Sequence, residues 1–215
     1  MFMTEAAVAP LWREPTQERS RVRFERMLDV AGELVRERGL DALTMQDVAA
    51  GAGVSIGSLY QFFPDRNALI ARIFSDSLDA IDEDVLARFR GVSSLEQFET
   101  ASAGLIESIY QHVSDDPALA EIWSTVQASR ALRHLDVDDS ERIAGVVFEA
   151  ARPLAPESVS DQRLWTACFL ICDLTSSATH RALTRPGREG RRLVREYALM
   201  ARSYLRSVFD GEPAQ

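Results

Sequence analysis

The sequence contains no lysine, and cysteine is scarce. All 24 basic residues are arginines, set against 33 acidic residues for a net charge of −9. Such an acidic protein is not expected to coat nucleic acid non-specifically, although binding through one local surface stays open. The two cysteines, Cys168 and Cys172, form neither a disulfide framework nor a zinc pattern. We expect them to be small buried side chains in a reducing, cytoplasmic setting, with redox sensing as the less favoured alternative.

Long apolar runs and clustered metal ligands are also missing. No apolar stretch reaches the roughly 18 residues of a membrane span, so no membrane partner is expected. The early acid Glu5 makes the N-terminus a poor secretory leader. His112, His134 and His180 have no carboxylate or cysteine partner at ligand spacing, so we expect neither a metal nor another cofactor. The sequence shows no nucleophile–base constellation and no phosphate loop, and therefore does not predict an enzyme.

Helical periodicity dominates the rest of the chain. Residues 1–17 contain two prolines and no period, which predicts a flexible N-terminal arm. A long amphipathic helix starts at Glu18, and two short helices follow, with Thr44 and Ser55 as predicted N-caps and a glycine-bearing turn between them. Two short helices joined in this way are typical of a helix-turn-helix. We predict an all-α chain with this domain over 18–64 and a larger helical region over 65–215.

The second short helix lies in an uncharged run that extends from Val48 to Pro64. Its sequence, SIGSLYQFF, combines small and aromatic side chains. A helix that enters the major groove, about 12 Å wide, needs short side chains on its exposed face. Ser55, Gly57 and Ser58 meet that need, although Ser55 is equally a plain helix cap.

Three larger side chains of this helix are candidates for contacts with DNA. The Tyr60 hydroxyl can bond a phosphate, the Gln61 amide can read a base edge, and Ile56 can touch a thymine methyl group. The alternative for Tyr60 is a place in the core.

The cations lie outside the uncharged run. Arg19, Arg21 and Arg23 crowd the start of the first helix, where they can bind phosphate or form a solvated face, and Arg66 opens the fourth helix. Residues 1–75 hold nine arginines against ten acids, and the remaining residues hold 15 against 23. The acidic charge is therefore concentrated in the C-terminal part.

The stretch LTMQDVAAGAGVSIGSLYQFFPDRNALI resembles the DNA-binding region of TetR-family transcriptional regulators. The family pattern of an Ala-Gly-Val-Ser-x-Gly core followed by Leu-Tyr-x-x-Phe is matched at many fixed positions, and the resemblance covers roughly residues 20–70. The resemblance implies an all-helical homodimer that binds double-stranded operator DNA and a small-molecule effector. Phosphate contacts would come from Thr44, Ser55, Ser58, Tyr60 and Arg66. Positions at or near the bases would be Gln46, Ile56, Gly57 and Gln61.

One departure from the family pattern has a physical consequence. Ile56 stands where the family often has lysine, so one electrostatic contact is missing and the salt dependence of DNA binding is expected to be shallower.

The C-terminal region offers candidates for a ligand cavity and a dimer interface. The cavity candidates are the larger side chains Tyr110, Trp123, Gln127, Phe148, Trp165 and Phe169, although an aromatic stripe at helical spacing is more often plain core. The helix predicted over 161–183 is apolar almost all round its centre, which suits burial against both the subunit core and a partner. By the resemblance, this helix and the last one form the homodimer interface.

The function expected from these features is that of a repressor released from its operator by an effector. The alternatives are an activator or nucleoid-type DNA binder on the same fold, and, less favoured, a helical enzyme or small-molecule carrier.

Overall fold

The computed structural model describes residues 11–185 and 187–211, which contain nine α-helices and no strand. The predicted all-α class is thus confirmed. The first four helices are α1 (Glu18–Arg38), α2 (Met45–Ala52), α3 (Ile56–Phe62) and α4 (Arg66–Phe89). The next five are α5 (Leu95–Asp115), α6 (Pro117–Ala128), α7 (Arg133–Ala151), α8 (Asp161–Leu183) and α9 (Arg188–Phe209). Short 3-10 turns at Leu40–Ala42 and Arg152–Leu154 follow α1 and α7.

The chain divides into two compact units, and the division falls inside α4, between Ser75 and Asp76. The expected boundary was at residues 64 and 65. The difference has a packing cause: the first half of α4 carries a run of buried residues, 68–71, together with buried Phe74. These side chains place that half of the helix in the first unit.

The first unit is built around an aromatic core. Phe24 of α1 is fully buried, stacks on Phe63 with ring centroids 4.9 Å apart, and meets Phe62 edge-on at 5.6 Å. Such pairs stabilise beyond the area that they bury. They fasten the end of α3 to α1.

The helix ends follow the capping chemistry of the sequence. The Thr44 side chain accepts a hydrogen bond from the Asp47 backbone, and the Ser55 side chain accepts one from the Ser58 backbone. Asp116 likewise caps α6, with Pro117 at its first position. Each cap satisfies backbone N–H groups that the helix itself leaves unpaired.

Residues 11–17 contact the first unit, and the first ten residues of the arm expected over 1–17 lie outside the described part of the chain. The Arg13 backbone N–H donates to the Phe62 carbonyl at 2.9 Å, and Glu14 pairs with Arg72 of α4 at 3.4 Å. The Arg72 guanidinium also lies over the Trp12 ring, 5.6 Å from its centroid. These contacts hold the segment against the first unit.

Within the described residues, none of the helices combines the length and apolar character that crossing a membrane requires.

Candidate nucleic-acid interface and ligand cavity

Helix α3 has one face in the core of the first unit and one face in solvent. Leu59 and Phe63 are fully buried, whereas Ile56 is 39% and Tyr60 47% exposed, and Gln61 is also exposed. Large apolar and aromatic side chains that stay in solvent are candidates for contacts with another molecule. The three side chains predicted to touch DNA are therefore all accessible to a partner.

The glycines of this region have different structural roles. A Cβ at Gly51 would lie 2.6 Å from Val30 Cγ1, and Gly53 has φ of +67° in the turn between α2 and α3. Packing requires the first glycine and backbone conformation the second. A Cβ at Gly57 would meet nothing within 4 Å. The fold itself does not require a glycine at position 57.

The hydroxyl groups of the two N-caps lie at the N-termini of α2 and α3. Thr44 Oγ1 accepts from the Asp47 N–H at 3.1 Å and donates to Asp47 Oδ2 at 2.8 Å. Ser55 Oγ accepts from the Ser58 N–H at 3.1 Å. Both caps are exposed, as is Gln46, whereas Ser58 is half-buried. Exposed caps beside helix N-termini suit an anionic partner, because the helix dipoles favour negative charge there.

Arg66 differs from the other predicted phosphate ligands. Its guanidinium donates to the carbonyl of Leu40, and its Nε is buried without a hydrogen-bond partner among the described residues. In this structure Arg66 therefore braces the turn after α1. A phosphate contact by Arg66 would require its side chain to turn outward.

The arginines at the start of α1 are all exposed. Arg21 lies 3.9 Å from Glu18, and Arg23 Nε donates to the Arg19 carbonyl at 3.3 Å. Exposed pairs of this kind contribute little to stability, which leaves these cations available to a partner.

A buried polar cluster contains two of the predicted cavity residues. Trp123 Nε1 donates to Ser176 Oγ at 3.2 Å, and Gln127 Nε2 donates to Ser176 Oγ at 2.7 Å and to Asp136 Oδ2 at 2.6 Å. Burial raises the pKa of Asp136, against the opposing hydrogen bonds from Ser176 and Gln127. This cluster joins α6, α7 and α8.

The other four predicted cavity residues lie in the helical core or at its edge. Phe148 and Trp165 form an edge-on pair at 5.7 Å, Tyr110 is buried, and Phe169 is half-buried.

An apolar cavity lies elsewhere in the second unit, and none of the six predicted residues lines it. Its volume is about 20 Å³, room for about one water molecule. Most of its lining is aliphatic, from residues such as Leu105, Ile106 and Ile143, and Phe89 and Leu205 complete the wall. The two hydroxyls in the lining, Ser102 and Thr175, already donate to carbonyls of their own helices. The residues predicted from the sequence are mostly aromatic, whereas this cavity is lined mainly by aliphatic side chains such as Leu105, Ile106 and Ile109.

Cys168 and Cys172 are buried on α8, as expected. Burial raises the pKa of the Cys168 thiol to about 12 and raises that of Cys172 further. The thiolate is the reactive form, so these residues behave as packing side chains.

The chain matches two family profiles. Over residues 27–73 it matches the bacterial regulatory proteins of the tetR family, and over residues 96–209 the tetracyclin repressor-like C-terminal domain. The repressor KstR2 of Rhodococcus jostii is 31% identical over 99 residues, which span 45% of this chain and 46% of that protein. The chain thus spans about half the length of that relative.

A more extended relative and a solved structure agree with these matches. The regulator AlkX of Mycobacterium tuberculosis is 27% identical over 157 residues, or 73% of this chain and 72% of that protein. The TetR-family repressor FadR of Thermus thermophilus, solved with lauroyl-CoA, has the same fold, with a TM-score of 0.64 at 18% identity over 89% of this chain and 95% of that one. The profile match over residues 96–209 alone covers more than half of the chain, and the chain therefore belongs to the TetR family of bacterial transcriptional regulators.

Proposed function

We propose that this protein is a homodimeric repressor that binds operator DNA through α3 and leaves it when a small apolar effector binds the second unit. The observation that carries the DNA-binding part is the exposed face of α3. It presents Ile56, Tyr60 and Gln61 beside Gly57, a glycine that the fold does not require. A missing side chain with open space around it lets the helix backbone approach a groove closely.

Tyr60 and Gln61 have complementary roles in this proposal. The phenol bonds a phosphate and fixes the register of α3, and the amide reads a base edge. Thr44 and Ser55 bring hydroxyls and helix N-termini to flanking phosphates. The exposed arginines of α1 add electrostatic attraction without sequence preference.

The operator contacts are tested by fluorescence anisotropy with labelled DNA at several salt concentrations. The probe is the DNA upstream of the chain's own coding sequence, and a scrambled duplex of the same length is the matched control. We expect tighter binding to the upstream duplex at moderate salt. Equal affinity for both duplexes would contradict sequence-specific recognition. A reporter gene behind the bound site then separates repression from activation.

Homodimerisation is proposed to use the apolar side chains that α8 and α9 leave in solvent. Leu170 and Leu174 of α8 are 38% and 48% exposed, and Leu199 and Met200 of α9 are 56% and 68% exposed. These four large apolar side chains lie on two helices that contact each other, and exposed apolar side chains that group together in a patch mark protein interfaces. A two-fold axis through this patch would let each copy cover the other.

A charge introduced into this patch tests the dimer. Met200→Asp should shift the protein from dimer to monomer in light scattering at micromolar concentration, because an unpaired carboxylate would be buried. Leu86→Asp is the matched control, since Leu86 is an exposed apolar residue, 53% exposed, on α4. A dimeric Met200→Asp variant would place the interface elsewhere.

The effector site is proposed at the apolar cavity between α5, α7 and α8. FadR of Thermus thermophilus was solved with lauroyl-CoA, and this lining suits a similarly apolar group. A drug-sized ligand needs a few hundred Å³, so the lining side chains must move apart to admit one. Phe89 in the cavity wall is the last residue of α4, the helix that follows α3 in the chain. Effector binding can then shift the dimer away from the state that fits DNA, provided that the effector binds the two states unequally.

A further inference from the structure

A second and larger pocket lies in the cleft between α4 and α5. Its volume is about 160 Å³, comparable to a protein cavity of about 150 Å³ that admits benzene. The floor is apolar, with Ala80, Ile81 and Ile109, and the polar side carries Asp84, Ser108 and His112. We name it the α4–α5 cleft.

The negative charge of Asp84 in the α4–α5 cleft is offset by the positive charge of Arg88. Asp84 Oδ2 accepts from Arg88 Nε and from Ser108 Oγ, both at 2.6 Å. The pKa of Asp84 is lowered, because these hydrogen bonds and the arginine charge outweigh the opposing effect of burial. The carboxylate therefore stays ionised beside a cation. A ligand carboxylate would be repelled by Asp84, and a ligand ammonium would be repelled by Arg88.

His112 provides the unsatisfied group. Its Nε2 is buried and has no hydrogen-bond partner among the residues that the structure describes. Buried polar atoms without a partner are rare in native proteins and need an explanation. A hydroxyl group has one hydrogen and can also accept, so it can donate to an unprotonated His112 Nε2, or accept from a protonated Nε2 and donate to the Asp84 carboxylate. A neutral hydroxyl thus fits this cleft better than an ion of either sign.

Ile109 connects this cleft to the apolar cavity. Its side chain is 7% exposed and belongs to the lining of both spaces. The cavity alone holds about one water molecule and the cleft about one ring. A change in the position of the Ile109 side chain would join them into one site with a polar mouth and an apolar interior.

We infer that the effector is a neutral amphipath, a phenol or alcohol with an apolar tail, whose hydroxyl binds at Asp84 and His112 and whose tail passes Ile109 into the cavity. This inference rests on the proposed effector function and names the chemical class that the site accepts. Both spaces are walled in part by α4, through Ile81, Asp84 and Phe89. The ligand would therefore press on the helix that follows α3.

Direct titration calorimetry on the full chain, without DNA, tests the ligand class. The probes are 4-butylphenol, butylbenzene and 4-butylbenzoate, which share one tail and differ in the head group. Because its hydroxyl bonds a charged or buried group, we expect the phenol to bind about tenfold more tightly than butylbenzene. We expect the benzoate to bind more weakly than the phenol. Equal affinity for the three probes, binding led by the benzoate, or no binding would overturn the inference.

Variants of His112 and Ile109 test the two parts of the site. His112→Leu should abolish the preference for the phenol over butylbenzene, and His112→Gln should restore part of that preference. Ile109→Ala should speed 4-butylphenol association several-fold in stopped-flow fluorescence. Ile106→Ala is the matched control, since Ile106 lines the cavity but not the cleft. A preference that survives in His112→Leu, or the same rate in both alanine variants, would refute the proposed arrangement.

The outcomes for the two proposals are distinguishable. If the protein does not bind its upstream DNA, the proposed function is refuted, and the ligand affinities, which are measured without DNA, are unaffected. Loss of the phenol preference with normal DNA binding would refute the ligand class alone.

Discussion

Replacing Tyr60 by phenylalanine separates DNA binding from folding more cleanly than any other single change on α3. The Tyr60 side chain is 47% exposed, and no described residue accepts a hydrogen bond from its hydroxyl. Removing one oxygen from an exposed side chain should change the free energy of unfolding by no more than about 0.5 kcal/mol. The fold should therefore be unaffected.

Our proposal predicts a much larger loss in the free energy of DNA binding. A hydrogen bond to a charged group contributes about 1.5–3 kcal/mol. At the low end of that range, two protomers lose about 3 kcal/mol together, which corresponds to a roughly 100-fold weaker dissociation constant. The salt slope should stay the same, because the phenol carries no charge that releases counterions.

The assay is fluorescence anisotropy on operator DNA, with thermal unfolding measured on the same preparations. Tyr204→Phe is the matched control, because Tyr204 lies on α9 in the second unit and its hydroxyl already accepts from Arg163 at 3.3 Å. That variant should bind DNA like the wild type. An affinity of Tyr60→Phe within about twofold of the wild type would refute the phosphate contact.

Three further predictions concern Phe24 in the core of the first unit, buried Asp139 of α7, and Ile56 of α3. Phe24→Ala should lower the free energy of unfolding by about 3–5 kcal/mol in urea titrations, because it leaves a cavity against Phe63, and a loss below about 1 kcal/mol would contradict the packing. Burial raises the pKa of Asp139 to about 7 from 3.8, despite its ion pair with Arg142. Because the folded-state pKa is raised, the protonated carboxyl contributes stability that is fully present below about pH 4 and is lost as the pH rises through about 7. Asp139→Asn should therefore flatten the fall of the unfolding free energy between these pH values. Parallel pH profiles for variant and wild type would exclude Asp139 as the cause. Ile56→Lys should steepen the salt dependence of DNA binding by about 0.9 per protomer in log–log plots, and an unchanged slope would place residue 56 away from phosphate.

Local chemistry made the helix ends predictable. Thr44 and Ser55 cap helices in the structure, as predicted, and Ser94 and Asp116 do the same. Capping depends on residues within three or four positions, so a single sequence carries it. Helix α7 lacks such a signal: it begins at Arg133, after an N-cap position at Leu132 that makes no side-chain hydrogen bond.

The contact residues of α3 were predicted from the small and polar side chains of its sequence and from the family pattern. Leu59 and Phe63 are buried, whereas Ile56, Tyr60 and Gln61 are exposed. The orientation of Arg66 was not predictable, because its acceptor, the Leu40 carbonyl, lies 26 positions away in the chain. A long side chain can turn toward solvent or toward the backbone, and only the fold decides between them.

The sequence by itself determined the all-helical class and the helix-turn-helix with its caps, because these depend on short-range periodicity and local hydrogen bonding. Only the tertiary structure decided which side chains surround empty space. The cavity and the α4–α5 cleft lie where residues from α4, α5, α7 and α8 meet, and Ile109 lines both spaces. The aromatic residues selected from the sequence are engaged elsewhere, in ring pairs and in the cluster around Ser176. Cavities arise from the fit between distant helices, and that fit is not encoded in the spacing of any one of them.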